Sequence, residues 1–193
     1  MRRNLITVAS CDDHNSKKSS DDEFFRAVIL LSAADSNQLA QHQFLGKFLR
    51  GVRRNSRAYS SFFTKKSSFA KGTKSAVQLD RDRFDKCVDH LARALFFHTF
   101  GSKWNLPIVV ASPNFYSEIT EQGPIPHVHS SNAIAATQDF LASEPILGEN
   151  PKVFMYRIRY DLPSETYAFA GRFYEFFEVY GASSKSIANE VSA

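Results

Sequence analysis

Cys11 and His14 stand three positions apart, with Asn15 directly after them, in the stretch Ser10-Cys11-Asp12-Asp13-His14-Asn15-Ser16-Lys17-Lys18. Across a turn, a thiolate and an imidazole at that spacing can point at one ion, as paired ligands do in structural zinc knuckles. A tetrahedral site needs two more ligands. The second cysteine is Cys87, and His42, His90, His98, His127 and His129 form no second Cys-x-x-Cys knuckle. Zn2+ or another divalent metal is the cofactor this pair could take. The alternative from the same residues is that Cys11 is a small buried hydrophobe and His14-Asn15 a polar turn or helix entry.

The second chemical signal is charge. Formal net charge is only +4, yet no acidic residue occurs between Asp35 and Asp80, where Lys47, Arg50, Arg53, Arg54, Arg57, Lys65, Lys66, Lys71 and Lys74 fall. Together with Arg2, Arg3, Lys17 and Lys18 they concentrate positive charge in the first third of the chain, the footprint of phosphate neutralisation by counterion release. Tyr59, Phe62, Phe63 and Phe69 interleave with it, so base stacking is available as well. A solvated helix face followed by a basic loop is the plainer account. Nucleic acid is the expected partner.

Weaker signals lie elsewhere. Asp21-Asp22-Glu23 could hold a divalent cation, but after Ser20 they read more simply as a capping box at a helix start. His127 and His129 would share a face in an extended segment, without a nearby cysteine to complete a site. No phosphate-binding glycine loop, nucleophile elbow or dinucleotide fingerprint occurs, which argues against nucleotide-dependent enzymes and common hydrolases.

The elements that must position these residues follow from periodicity. Residues 6–8 read as a short strand and residues 20–34 as a first helix, with Phe24, Val28 and Leu31 inward beside Phe25 and Ile29. A second helix is expected over residues 37–54, burying Leu39, Phe44, Phe48, Leu49 and Val52 and presenting its arginines on another face. Residues 57–75 read as a Ser/Lys-rich basic loop or frayed helix end. The clearest helix spans residues 80–100, where Phe84, Val88, Leu91 and Leu95 recur at helical spacing, Cys87 and Ala94 share the stripe, and Gly101 stops it. On it, His90 reads as solvent-facing and His98 as lying at the core edge.

Residues 106–111, 153–160 and 167–180 read as strands, and residues 131–143 as a short helix. Alternation puts Phe154, Tyr156, Ile158 and Tyr160 on one face of their strand and Met155, Arg157 and Arg159 on the other. Phe169, Phe173 and Tyr174 could stack bases, though a sheet under the long helices uses such rings better. The expected fold is α+β: N-terminal helices followed by a C-terminal antiparallel sheet or hairpin. Residues 20–182 would form its single domain, and residues 183–193 a flexible tail.

The chain has 193 residues, 43% hydrophobic and 23% charged, enough for one globular core. No apolar run reaches the roughly 18 residues of a membrane span, and no apolar signal core follows Arg2-Arg3. A soluble, cytoplasmic protein without a membrane partner is the expectation, with two free cysteines in a reducing compartment.

The segment from Thr7 to Phe24 resembles the closing half of a motif in an HNH endonuclease-like family of bacterial proteins. Leu91-Ala92-Arg93-Ala94-Leu95-Phe96-Phe97-His98 is similar to a helix of the same proteins, and residues 153–157 and 172–176 to their closing strands. The resemblance implies that Cys11 and His14 match metal ligands and Asn15 the HNH-type asparagine. Residues 1–19 would then be a partial HNH-like turn. The family's upstream Cys-x-x-Cys knuckle and the segment with its water-activating histidine have no counterpart among these residues. The resemblance therefore implies an incomplete, catalytically impaired HNH-like protein, a metal-dependent endonuclease if active, with DNA favoured over RNA. The charge distribution makes Lys17, Lys18, Lys47, Arg50, Arg53, Arg54, Arg57, Lys65 and Lys66 the residues expected to hold it. A non-catalytic protein-interaction or structural domain is the alternative.

Overall fold

Helix α4, Arg81–Phe100, shows how directly local chemistry sets an element. The side chain of Asp80 caps its first turn by accepting from the Arg83 N–H, and Gly101, at φ 72°, ends it in the left-handed conformation that glycine adopts without strain. Phe84, Val88, Ala92, Leu95 and Phe96 form its buried stripe. The computed structural model describes residues 12–54, 56, 62–68, 75–120, 123–126 and 128–186.

The fold is α+β, with helices mostly N-terminal to a five-stranded antiparallel sheet. Ahead of α4 come α1 (Asp12–Ala33), α2 (Gln38–Gln43), a π-helical turn (Phe44–Phe48), α3 (Leu49–Arg54) and a hairpin of β1 (Phe63–Ser68) and β2 (Ser75–Leu79). After α4 come β3 (Val109–Ala111), the hairpin β4 (Tyr116–Thr120) and β5 (Gly123–Pro126), and α5 (Val128–Phe140). The remaining strands are β6 (Leu147–Asn150), β7 (Phe154–Asp161), β8 (Thr166–Phe173) and β9 (Phe177–Ser183). The main sheet runs β3-β9-β8-β7-β6.

The core lies between this sheet and helices α1 and α4. Phe24, Phe84, Phe96, Tyr167, Phe169 and Phe177 are all fully buried there. Each such ring contributes about 1.5–3 kcal/mol through burial alone. Edge-to-face contacts add to it, with Phe84 on Phe115 at 4.6 Å and Phe96 on Tyr167 at 4.9 Å between centroids. Tyr167 keeps its hydroxyl satisfied by donating to the Ala92 carbonyl of α4 at 2.8 Å. Helix α5 covers the opposite face of the sheet, held by Gln138 on Tyr180 and by Arg159 on the Phe140 carbonyl.

Several expectations are corrected. Helix α1 begins at Asp12, so Ser20 and its acidic followers lie inside the helix instead of capping it. The same helix covers Asp12 to Asn15, read above as part of a turn. Leu31 is 37% exposed, while Ala27, Val28, Ile29 and Leu30 are buried in succession, a helix enclosed on nearly every side there. The basic stretch after Phe62 contains paired strands, and residues 167–180 are two strands instead of one, reversed by Tyr174-Glu175-Phe176. Ser183, read above as the first residue of a flexible tail, is the last residue of β9. Phe169 is fully buried, and Phe173 and Tyr174 pack against the core, so these rings build the interior. His90 and His98 are both exposed. The expected strand at residues 6–8 lies outside the described residues.

Candidate nucleic-acid interface

Asn37 starts the basic helical segment. Its side-chain oxygen accepts from the N–H groups of Leu39 and Ala40, a classical capping arrangement. From there Ala40, Phe44, Phe48 and Val52 recur every four residues. An α-helix turns about 100° per residue, so a four-residue repeat drifts about 40° at each step, or about 120° from Ala40 to Val52. The π turn at Phe44–Phe48, closed by the Leu49 N–H on the Phe44 carbonyl, underwinds the segment and cancels much of that drift. All four residues consequently pack toward one core, and the Phe44 and Phe48 rings stack at 5.1 Å.

With that face fixed inward, His42, Lys47, Arg50, Arg53 and Arg54 are all exposed. Arg50 donates through Nε to the Gly46 carbonyl on its own helix. Lys47, Arg53 and Arg54 have no ion pair and no side-chain hydrogen bond among the described residues. Their charge is open to solvent and to whatever anion approaches.

The arginines of α4 behave otherwise. Arg81 pairs with Asp85 at 2.7 Å and donates to the Val110 carbonyl of β3 at 2.9 Å. Arg83 pairs with Asp21 of α1 at 2.7 Å, donates to Ser20 at 2.8 Å, and lies over the rings of Phe24 and Phe62. Arg93 takes Asp89 through both nitrogens and also holds the carbonyls of Trp104 and Leu106. These cations staple α4 to α1, β3 and the loop after the helix.

The remaining site residues divide by location. His14, Asn15, Lys17 and Lys18 fall on α1, with their side chains outside the described part of the structure. Cys11 and Arg57 lie outside the described residues. Lys65 and Lys66 fall on β1, described at the level of the backbone. Among the described residues no three His, Cys, Asp or Glu side chains stand close enough to share a metal. Cys11 and His14 supply two of the four donors that a structural zinc uses. Of the other histidine pair, His127 lies outside the described residues, and His129 falls on α5 and not in the expected extended segment, its side chain likewise undescribed.

Two further polar features are self-contained. An open groove of about 570 Å³ lies between α4 and residues 105–108, lined by Asp82, Asp85, Lys86, Asp89 and Arg93. Burial pushes the Asp85 carboxyl up, opposed by its bond to Arg81. On the α5 side of the sheet, Gln138 donates to the Tyr180 hydroxyl, which donates to Glu178, which in turn holds Arg172. Burial, and then Glu178, push the Tyr180 hydroxyl up to about 12.

Among the described residues, no helix is long and apolar enough to cross a membrane. The chain matches no protein-family model, no curated protein and no solved structure.

Proposed function

We propose that this chain binds nucleic acid through the outward face of residues 42–54, gripping the phosphate backbone by charge. The carrying observation is that Lys47, Arg53 and Arg54 are exposed with no partner among the described residues, while every arginine of α4 holds a carboxylate. A helical cluster of exposed cations in a stretch of chain without acidic residues presents a potential that attracts polyanions. Contacts of this kind position a protein on the backbone and carry no sequence information. Lys65 and Lys66 on β1 follow the same helix in the chain and extend the basic region.

The N-terminal likeness to HNH endonuclease-like proteins supports DNA over RNA as the partner. Binding of this kind rests on charge and needs no catalytic group.

Fluorescence anisotropy of a short labelled duplex across a salt series tests this. If four phosphates are neutralised, log K should fall against log salt with a slope of about −3.6. Affinity that ignores salt, or that is confined to one sequence, would refute backbone gripping.

A further inference from the structure

We infer that Gly46 is where the bound nucleic-acid backbone comes closest to the protein, on a contact line made of His42, Gly46, Arg50 and Arg54. This rests on the nucleic-acid reading above and deepens it by naming residues that composition does not single out.

The line follows from the winding that fixes the core. Ala40, Phe44, Phe48 and Val52 share the inward face because the π turn holds a four-residue repeat in register. Two positions on, His42, Gly46, Arg50 and Arg54 repeat at the same interval, and so occupy the opposite side, spaced about 6 Å apart along the axis. His42, Arg50 and Arg54 are exposed, and Gly46 between them is half-buried, with the Arg50 side chain turned back onto its carbonyl.

Gly46 is the residue the fold itself does not ask for. A Cβ built there would meet no atom within 4 Å, so packing does not forbid a side chain, and its φ lies outside the left-handed range that would demand glycine. Glycine within a helix carries an entropic cost relative to alanine. Bare backbone flanked by donors is what lets a phosphate sit against the helix surface. The Arg50 guanidinium, anchored through Nε to the Gly46 carbonyl, is held beside that spot, and its two terminal nitrogens have no partner among the described residues. His42 lies one turn to the other side.

Gly46→Ala and Gly46→Leu test the inference, with thermal unfolding and duplex affinity measured on the full chain. Alanine should raise Tm by about 2–4 °C through helix propensity. It should nonetheless weaken duplex binding about three- to tenfold, comparable to losing one net hydrogen bond. Leucine should weaken it further, and duplexes of unrelated sequence should be affected alike. Wild-type affinity in both variants would overturn the inference while leaving the charged face in place. A lowered Tm for Gly46→Ala would also overturn it, since the glycine would then serve the π turn. Absence of duplex binding by the wild-type chain would refute the nucleic-acid reading and this inference together.

Discussion

Arg81, Arg83 and Arg93 on α4 each hold a carboxylate at 2.7 Å, whereas Lys47, Arg53 and Arg54 on the helical segment from Asn37 to Arg54 hold none among the described residues. Both segments are amphipathic, both bury phenylalanines against the same core, and both carry several cations. The difference is where the counter-charge comes from. On α4 it comes from Asp85 and Asp89 one turn away and from Asp21 on a packed neighbour. The segment before it lies in a stretch without any acidic residue, and among the described residues no carboxylate from elsewhere in the chain reaches Lys47, Arg53 or Arg54. Cations of the first kind should register in stability, and those of the second kind in binding.

The largest expected effect breaks the comparison from the basic side. Changing Lys47, Arg50, Arg53 and Arg54 together to glutamine should weaken duplex binding by about 100-fold or more at low salt and remove most of the salt slope. Because these side chains support no partner on another element among the described residues, unfolding should be little changed. Retained salt-dependent affinity would move the interface elsewhere, with Lys17, Lys18, Lys65 and Lys66 next in line.

From the α4 side, Arg83→Ala should cost about 2 kcal/mol in urea unfolding, since it strips Asp21 of its partner and removes the cation from over Phe24 and Phe62. Duplex affinity should stay within about twofold of wild type, because a paired cation contributes little to the open potential. A larger loss of affinity than of stability would mean that α4 also faces the nucleic acid.

How much of this contrast the sequence carried depends on the range of the interaction concerned. Asp80 and Gly101 bracket α4 with local capping chemistry, and Asn37 does the same for the next helix upstream, so both were legible. The basic window was legible too, because the absence of acids between Asp35 and Asp80 needs no structure to see. Its exposed, unpaired state was not, since that depends on which residues fold against it. Arg83 meets Asp21 across 62 positions, and no local pattern announces the pair. Ser20-Asp21-Asp22-Glu23 imitates a helix start so well that it concealed a helix beginning at Asp12. Tyr174 and Glu175 adopt positive φ of 51° and 61° without any glycine or asparagine to signal the turn. The π turn left one trace, the strict four-residue spacing of Ala40, Phe44, Phe48 and Val52, and His42 and Gly46 were missed because that spacing was not carried to the opposite face.

Pairing also leaves a signature in pH. Burial and Glu178 raise the Tyr180 hydroxyl from 10.0 to about 12, so the folded state favours its neutral form. The corresponding stability is fully present below pH 10 and is lost as pH rises from there toward 12, where the unfolded chain has released a proton that the folded one retains. Tyr180→Phe should cost about 1 kcal/mol at neutral pH through its lost hydrogen bonds, and should flatten this alkaline decline. An unchanged decline would assign it to other groups. Duplex binding should not respond, since the Gln138-Tyr180-Glu178-Arg172 set is closed on itself.

The smallest effect would be obtained by making the basic helix slightly more like α4. Gln43 precedes Lys47 by four residues, the glutamate-before-lysine order that favours a helical ion pair. The π turn improves the geometry, because underwinding keeps residues four apart closer to one line than an α-helix would. Gln43→Glu should therefore add about 0.2–0.5 kcal/mol of stability. It should also weaken duplex binding about two- to threefold, since Lys47 would answer to an internal carboxylate before a phosphate. The two effects are expected to fade together as salt is raised, since both are exposed charge interactions. A gain in stability with no loss of affinity would show that Lys47 stands at the rim of the interface, and would confine the grip to Arg50, Arg53 and Arg54.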